Sequence, residues 1–534
     1  MRQNKQIANI IRPPCDAGVV YSAPDAAPCD KQVGSWVLAA TVIGSSMAFI
    51  DGTVVNVALP ALQTDLGATV VDLQWIIEAY ALFLAALLLV GGALGDRFGR
   101  RRVYTAGVAL FAAASVWCGL APGANQLILA RAVQGIGGAL LVPGSLAIIA
   151  ASFSDEQRGR AIGTWSGFTA ITTALGPVMG GWLVEHVSWR AIFFINIPLA
   201  LTVLLILFRR VPESRNEEAA VKLDWWGALF VTVGLAGIVY GLIESANRGF
   251  GSPVVSGALA IGAVLLILFI IVEARGAAPM VPLTLFRSPT FRGANMLTLL
   301  LYAALSGSLF FVPFNLIQVQ GYSATAAGAA FLPLIVIIFL LSRRAGKIAD
   351  RSGAKPLLII GPLIVAVGYA LFAVPGIGGS YWTTFLPAMT MLGLGMAISV
   401  APLTTAVMGS VSVHHSGVAS GVNNAASRVA GLLAIAVFGI VILAAFNQSL
   451  DRRLATLDIP VEAKLQLDTQ RIKLAGADVP AGLNEELGRV LERAIELSFV
   501  AGFRLVMLIC SGLALASAVI AAMMIEGRKP AQNK

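Results

Sequence analysis

Long runs without a charged residue recur along the whole sequence, and they limit the folds that the chain can adopt. Examples are Val103–Ala130, Ala132–Ser154, Ala161–Val184, Ala191–Phe208, Trp225–Ile243, Gly249–Val272 and Leu505–Ile525. A bilayer span needs about 20 consecutive apolar residues, so each run is long enough to cross a membrane. Because lipid offers the backbone no hydrogen-bond partners, such segments must be helices or strands of a closed barrel. Barrel strands would instead show alternating segments of about ten residues, so the runs predict transmembrane helices.

The number of helices follows from the remaining apolar stretches. Gly293–Ser342 and Pro356–Val413 are each long enough for two spans, and each is interrupted by a turn-like segment. Further spans are expected around Asp51, Glu78 and Arg428. With 57% hydrophobic and 12% charged residues, the composition lies far from that of soluble domains, which are about a quarter charged. The sequence predicts an all-α polytopic membrane protein with fourteen transmembrane helices.

The formal net charge of +9 reflects membrane topology rather than a nucleic-acid partner. An even number of helices permits both termini to be cytoplasmic. With that orientation most of the 37 Lys and Arg residues lie on the cytoplasmic side, and the short outer loops hold only Arg190 and Arg248. Cytoplasmic loops of membrane proteins are enriched in Lys and Arg in this way. We therefore predict a multi-pass protein with both termini in the cytoplasm and the bilayer as its surroundings.

Two short loops repeat one pattern. "GGALGDRFGRRR" (Gly91–Arg102) follows the second helix, and "AGKIADRSGAKP" (Ala345–Pro356) follows the tenth. Both contain G-x-x-x-D-R-x-G followed by basic residues, as expected for a transporter built from two similar halves. The alternative, that Asp-Arg-x-Gly is only a favourable tight turn, is weakened by the matching loop positions.

This alignment divides the chain into five segments. They are a cytoplasmic N-terminal tail (1–34), a six-helix bundle (35–208), a linker with two additional helices (209–292), a second six-helix bundle (293–525) and a cytoplasmic C-terminal tail (526–534). The second bundle includes a long extracytoplasmic loop, 447–498. Helical spacing of its apolar residues predicts a short surface helix there, carried by Leu487, Val490, Leu491 and Ile495.

Four motifs, in this order and spacing, resemble the major facilitator superfamily, specifically its fourteen-helix drug:proton antiporter family. They are "IDGTVVNVALP" (Ile50–Pro60), "GALGDRFGRR" (Gly92–Arg101), "LILARAVQGIGGA" (Leu127–Ala139) and "GPVMGG" (Gly176–Gly181). The motif of the fifth helix usually also has a glycine at the position that Thr172 occupies, before Gly176, and the sequence departs from the family there. The resemblance implies the major facilitator fold, with two six-helix bundles and two extra central helices.

The resemblance also implies roles for the loop motif and for the fifth helix. In the family the loop cluster latches the two halves in one state, and the residues that inherit this role are Gly92, Asp96, Arg97, Gly99, Arg100, Asp350 and Arg351. For the trailing arginines a simple topology signal is the alternative. In the fifth helix Pro177 removes a backbone hydrogen bond, and three glycines permit close helix contact, Gly176, Gly180 and Gly181. This helix is suited to hinging, although static packing would use the same residues.

Three ionisable residues are embedded in the first bundle. Asp51 lies about 11 Å below the outer end of the first helix, Glu78 about 6 Å down the second, and Arg131 about 7 to 8 Å down the fourth, at 1.5 Å per residue. Charged groups in hydrocarbon are costly and therefore face a cavity or each other. We expect all three in proton and substrate coupling. A structural pair between Asp51 and Arg131, and interfacial hydration of the shallower Glu78, are the alternatives.

These features predict drug:proton antiport in a bacterial inner membrane. Desolvation favours the neutral form of a carboxyl group, so Asp51 could take a proton outside and release it inside while a lipophilic or cationic drug is exported. An ATP-driven pump would need GxxxxGK[ST], which does not occur. We predict no enzymatic activity, no metal site and no cofactor besides the proton gradient.

The sequence leaves several alternatives open. Export of one metabolite or antibiotic is the main alternative function, and a non-transporting membrane sensor is a remote one. The expected partners are a small-molecule substrate and protons, without nucleic acid. A periplasmic adaptor and an outer-membrane channel are left open.

Overall fold

The computed structural model describes residues 31–214, 224–276, 279, 281–411, 416–480 and 482–527. In these residues fourteen helices are long and apolar enough to cross a membrane, which confirms the predicted number. We label them α1 to α14: Lys31–Leu66, Val70–Phe98, Arg100–Leu120, Ala124–Ser152, Asp155–His186, Ala191–Arg210, Trp225–Arg248, Pro253–Arg275, Pro289–Val319, Ala324–Ser352, Ala354–Phe372, Tyr381–Gly409, Ser416–Leu454 and Glu485–Met524.

Several predicted segments lie outside the described residues. They are residues 1–30 of the N-terminal tail, 215–223 of the linker, 528–534 of the C-terminal tail, and the pair His414 and His415. The helix α1 begins at Lys31, so the last four residues of the predicted tail are already helical.

Glycines with positive φ separate the helices that flank the two repeated loops. Gly99, with a φ of 108°, ends α2 and begins α3, and Gly353, with a φ of 85°, does the same between α10 and α11. Residues with a side chain rarely adopt this backbone region. The two copies of the loop motif therefore form equivalent turns at equivalent places, which is what an internal repeat requires.

The helix packing repeats in the same way. In the first half α1 packs against α5 and α6, and α4 packs against α2 and α3. In the second half α9 packs against α13 and α14, and α12 packs against α10 and α11. Adding eight to each label of the first half gives the contacts of the second. The extra pair α7 and α8 packs side by side, and α7 contacts α2 and α13, so it bridges the halves from outside.

The last two helices are the longest, at 39 and 40 residues. A span needs only about 20, so both extend beyond it. The loop between them is shorter than the predicted 447–498, because α13 continues to Leu454 and α14 begins at Glu485. The predicted surface helix at Leu487–Ile495 is therefore the first part of α14, and the separate loop helix is Val461–Gln470. We call the end of the bundle that carries this loop the loop end, and the end where α1 begins the terminal end.

Candidate functional site

Asp51 and Arg131 form an ion pair inside the first half. Arg131 Nη1 contacts Asp51 Oδ2, and both side chains are shielded from solvent, with 1% of the Arg131 side chain and 0% of the Asp51 side chain exposed. Gln134, one helical turn after Arg131 on α4, accepts a hydrogen bond from Arg131 Nη1 at 2.6 Å and donates one to Asp51 Oδ1 at 2.8 Å. Arg131 Nε also donates to the Ile76 carbonyl oxygen at 3.1 Å. The carboxylate of Asp51 and the guanidinium of Arg131 therefore satisfy each other. The sequence analysis considered such a structural pair as an alternative to a role in coupling.

Polar residues from other helices complete this network. Ser115 Oγ on α3 accepts from Gln134 Nε2 at 2.9 Å and from Asn196 Nδ2 on α6 at 3.3 Å. The Tyr80 ring on α2 lies 4.3 Å from the Arg131 guanidinium carbon, a cation–π distance. The sequence reasoning missed Ser115, Asn196 and Tyr80, although isolated polar residues in charge-free helices were a usable signal. The network joins α1, α2, α3, α4 and α6 around one buried charge pair.

Glu78 is placed differently. Its side chain is fully buried, and neither carboxylate oxygen has a hydrogen-bond partner among the described residues. Trp75 and Leu82, on the same face of α2, belong to the cluster that packs α2 against α7 and α13. Glu78 therefore lies away from water, between the first half and the rest of the bundle, and lacks the donors that would stabilise an ionised carboxylate. The structure therefore does not expose Glu78 at the surface of the bundle, as interfacial hydration would require.

A cavity of about 170 Å³ lies where α1, α2, α4, α5 and α13 meet. The first half contributes Phe49, Gly52, Thr53, Tyr80 and Thr173 to its wall, and the second half contributes Arg428. Asp51 is next in sequence to Gly52 but is not itself part of the wall. The sequence identified Arg428 only as a charge within a helix, because nothing in a linear pattern shows which residues of the other half it meets.

The loop between α2 and α3 is held by contacts of its own residues and of the segment that follows α6. Arg100 Nε donates to Asp96 Oδ1 at 2.9 Å, and Arg97 is exposed, with its guanidinium over the Phe98 ring. Glu213, after α6, accepts hydrogen bonds from the backbone N–H groups of Arg101 and Arg102 at 2.9 and 3.2 Å. It thereby caps the start of α3. Sequence reasoning missed Glu213, whose only signal was an acid following a basic cluster.

The remaining residues of the predicted latch have simpler surroundings. Gly92 faces Pro143 of α4. A Cβ at Gly99 would lie 2.7 Å from the Glu213 carboxylate, which would have to move, and the φ of 108° at Gly99 disfavours a side chain in any case. In the second copy of the motif Arg351 is exposed, while the side chain of Asp350 lies outside the described residues. A latch that joins the two halves stays a prediction.

The glycines of α5 allow close contact with two neighbours. Gly176 and Gly180 face Thr53 and Val54 of α1, and a Cβ at Gly181 would collide with the Ala324 carbonyl of α10. In return, a Cβ at Gly328 of α10 would collide with the carbonyl group of Pro177. Besides its place in the motif, Pro177 is therefore a contact point between the two halves.

The halves also meet through polar contacts at the loop end. Glu185 Oε2 accepts from the Thr325 backbone N–H at 2.9 Å, and Gln318 Nε2 donates to Gln63 Oε1 at 2.8 Å. Gln63 in turn donates to the carbonyl oxygen of Lys473, in the loop between α13 and α14, at 3.0 Å. These contacts close the loop end of the bundle above the cavity.

Comparison with known proteins agrees with this architecture. A family model, Major Facilitator Superfamily, matches residues 41–435. The tetracenomycin C resistance and export protein of Streptomyces glaucescens is 33% identical over 91% of this chain and 90% of its own length. The puromycin resistance protein of Streptomyces alboniger is 36% identical over 76% and 81%, respectively. The multidrug resistance protein Stp of Mycobacterium tuberculosis is 34% identical over 78% and 77%.

A solved structure has the same fold. The bacterial homologue of the human lysosomal transporter Spinster, in an inward-facing and unoccupied conformation, superposes with a TM-score of 0.64 at 17% identity. The match covers 94% of this chain and all of the other. The fold predicted from the sequence motifs is therefore confirmed, and the packing repeat that relates α1–α6 to α9–α14 does not include α7 and α8.

Proposed function

Since the chain belongs to the Major Facilitator Superfamily, we propose that it exports drug-like small molecules across a bacterial cytoplasmic membrane in exchange for protons. The names of the relatives, which concern resistance to and export of antibiotics, support the export of drugs. The proton gradient is the only energy source that the proposal needs, and no cofactor takes part. The termini, and with them the terminal end of the bundle, face the cytoplasm, as the distribution of basic residues favours.

Asp51 is the proposed proton carrier, and its ion pair with Arg131 is the observation that carries the proposal. Protonation of Asp51 would neutralise the carboxylate and leave Arg131 as a buried cation without its counter-ion. Breaking a buried pair in this way costs about 3–5 kcal/mol unless the surroundings rearrange. The arrival of a proton must therefore be accompanied by movement of the helices that hold the pair or by entry of water. This links the proton to the conformation of the first half.

Glu78 is the second carboxylate of the proposed mechanism. It lies between α2 and the helices α7 and α13, without a partner that would stabilise a negative charge. A movement of α13 relative to α2 would change its surroundings directly, because α13 belongs to the other half. In the proposed mechanism Glu78 exchanges a proton during the transition between states, while Asp51 holds the proton within the first half.

The proposal is tested by proton movement in proteoliposomes that carry a pH gradient. Addition of tetracenomycin C should release protons through the wild-type protein, and Asp51→Asn should abolish this release because the amide cannot titrate. Asp51→Glu should retain part of it, with a shifted pH dependence. Asp458→Asn, at an exposed position of the loop, is the matched control and should behave as wild type. Coupled release by Asp51→Asn at the wild-type rate would refute the assignment of Asp51.

Export of a single compound is the second candidate function, and the names of two relatives favour it. The Streptomyces glaucescens and Streptomyces alboniger proteins are each named for one antibiotic. A susceptibility panel in a host that lacks its own drug pumps separates the candidates. Resistance to many unrelated compounds supports multidrug export, and resistance to one chemical family supports a dedicated exporter. Absence of any proton-coupled flux in vesicles would favour a sensor that does not transport.

A further inference from the structure

We propose that Arg428 is the residue that selects substrates by charge, and that the cavity it lines accepts the anionic end of a substrate, such as a carboxylate or phenolate, and excludes cations. This inference rests on the proposed export function and gives its substrate class. It differs from the expectation of lipophilic or cationic drugs that the sequence alone suggested.

The first argument is the absence of a counter-ion. Arg428 is partly buried on α13 and lines the cavity, yet no acidic residue pairs with it and no hydrogen bond engages its buried Nε among the described residues. A guanidinium group in a membrane interior normally pairs with a carboxylate or with backbone carbonyls. An unpaired cation at the middle of the bundle is costly to keep, so we infer that its partner arrives from outside the chain.

The second argument is that the nearby charges are already used. Asp51, which is adjacent to the cavity wall, is neutralised by Arg131. The Tyr80 ring makes the cation–π contact with Arg131, and Tyr80 also lines the cavity. The remaining residues of the wall, among them Phe49, Thr53 and Thr173, carry no charge. The cavity therefore has a net positive potential, and this potential comes from Arg428.

The third argument is size. Drug-sized ligands occupy pockets of about 300–1,000 Å³, whereas this cavity measures about 170 Å³. It can hold one ring with its substituent but not a whole drug molecule. The remainder of a substrate would lie between the halves, outside this cavity. Arg428 then binds only one end of the substrate molecule. The planar guanidinium can donate two parallel hydrogen bonds to the two oxygens of one carboxylate.

The thermodynamic consequence is discrimination in both directions. A charge-assisted hydrogen bond contributes roughly 1.5–3 kcal/mol, which corresponds to about ten- to a hundredfold in affinity. A cation in the same place would meet the uncompensated guanidinium and would be repelled, as in other sites that reject unwanted ligands by an unpaired charge. The site should therefore prefer an anion over a cation of the same shape.

The test uses two dyes with one scaffold. Fluorescein and rhodamine 123 share a xanthene ring and a phenyl substituent, but near neutral pH the first is an anion and the second a cation. Their affinities for the purified full-length protein are measured by fluorescence polarisation in detergent, without a proton gradient. We expect wild type to bind fluorescein at least about tenfold more tightly than rhodamine 123. Arg428→Gln should lose this preference, and Arg428→Lys should retain it in part, because it keeps the charge without the planar fork.

The control is Arg452→Gln, the same substitution at an exposed position of the same helix, which should leave both affinities unchanged. Equal binding of the two dyes by wild type, or an unchanged ratio in Arg428→Gln, would overturn the inference. If neither Arg428 variant folds, the ratio of the two dye affinities in the wild-type protein still tests the inference. Because binding is measured without transport, dye selectivity without proton-coupled export would refute only the proposed function, and export without selectivity would refute only this inference.

Discussion

The buried pair of Asp51 and Arg131 yields a quantitative prediction about stability. Replacement of Arg131 by Ala would leave the Asp51 carboxylate inside the first half with only Gln134 and Asn196 as donors, at 2.8 and 3.4 Å. Breaking a buried ion pair from one side costs about 3–5 kcal/mol of the free energy of unfolding. Asp51→Asn, which leaves Arg131 without its counter-ion as protonation does, should fall towards the lower end of the same range, because Arg131 keeps its acceptors at Ile76 and Gln134 and its contact with Tyr80.

The double variant Asp51→Asn/Arg131→Ala leaves neither member of this pair as an unpaired buried charge. It should therefore be more stable than the sum of the two single effects implies, with a coupling energy of about 2 kcal/mol or more. Reversible unfolding in mixed micelles with increasing dodecyl sulfate, followed by circular dichroism, gives the four free energies of the cycle. Arg131→Lys should lie between wild type and Arg131→Ala, because it keeps the charge but loses the fork. Effects that add to within about 0.5 kcal/mol would show that the pair is not coupled.

Three further predictions concern positions outside this pair. Gly181→Ala should lower the free energy of unfolding by about 1–3 kcal/mol through collision with α10, whereas Gly167→Ala on the same helix, with open space around it, should not. Glu213→Gln should cost about 1 kcal/mol, since it weakens the cap of α3 and two partly exposed ion pairs, while Glu462→Gln in the loop should cost nothing measurable. A cysteine at the exposed Gln466 should react with a membrane-impermeant maleimide in intact spheroplasts, and reaction only after permeabilisation would contradict the proposed orientation.

The fold could be predicted from the sequence because its main determinant is local. Each span is a charge-free segment of sufficient length, and a helix is the only single segment that satisfies its own backbone in lipid. The repeated loop motif, with glycines at Gly99 and Gly353, then related the halves. The residues at which α13 ends and α14 begins could not be predicted as well from the sequence. Charged residues after Phe446 indicated the end of a span, but they do not end the helix, which continues to Leu454.

The candidate site could be predicted only in part, because its contacts join residues far apart in the chain. Asp51, Glu78 and Arg131 were identified as embedded charges, and the pairing of Asp51 with Arg131 was one of two alternatives. Nothing in the linear pattern distinguished the paired acid from Glu78, which has no partner. That difference arises from the helices they face, since Asp51 points into the first half and Glu78 lies against α7 and α13.

The division of charges between the halves bears on how export and proton uptake could be coupled. Both carboxylates of the proposed mechanism belong to the first half, whereas Arg428, the proposed substrate ligand, belongs to the second. A proton and an anionic substrate would therefore not compete for one atom, and within a single conformation their opposite charges would favour binding together. Exchange consequently requires that they bind in different conformations. The wall of the cavity combines residues of α1 and α2 with Arg428 of α13, so in the proposed mechanism a substrate bound to Arg428 would stabilise this arrangement. A proton on Asp51 disrupts the pair with Arg131 that supports the same wall. In the proposed mechanism the competition is thus between two arrangements of α13 relative to the first half.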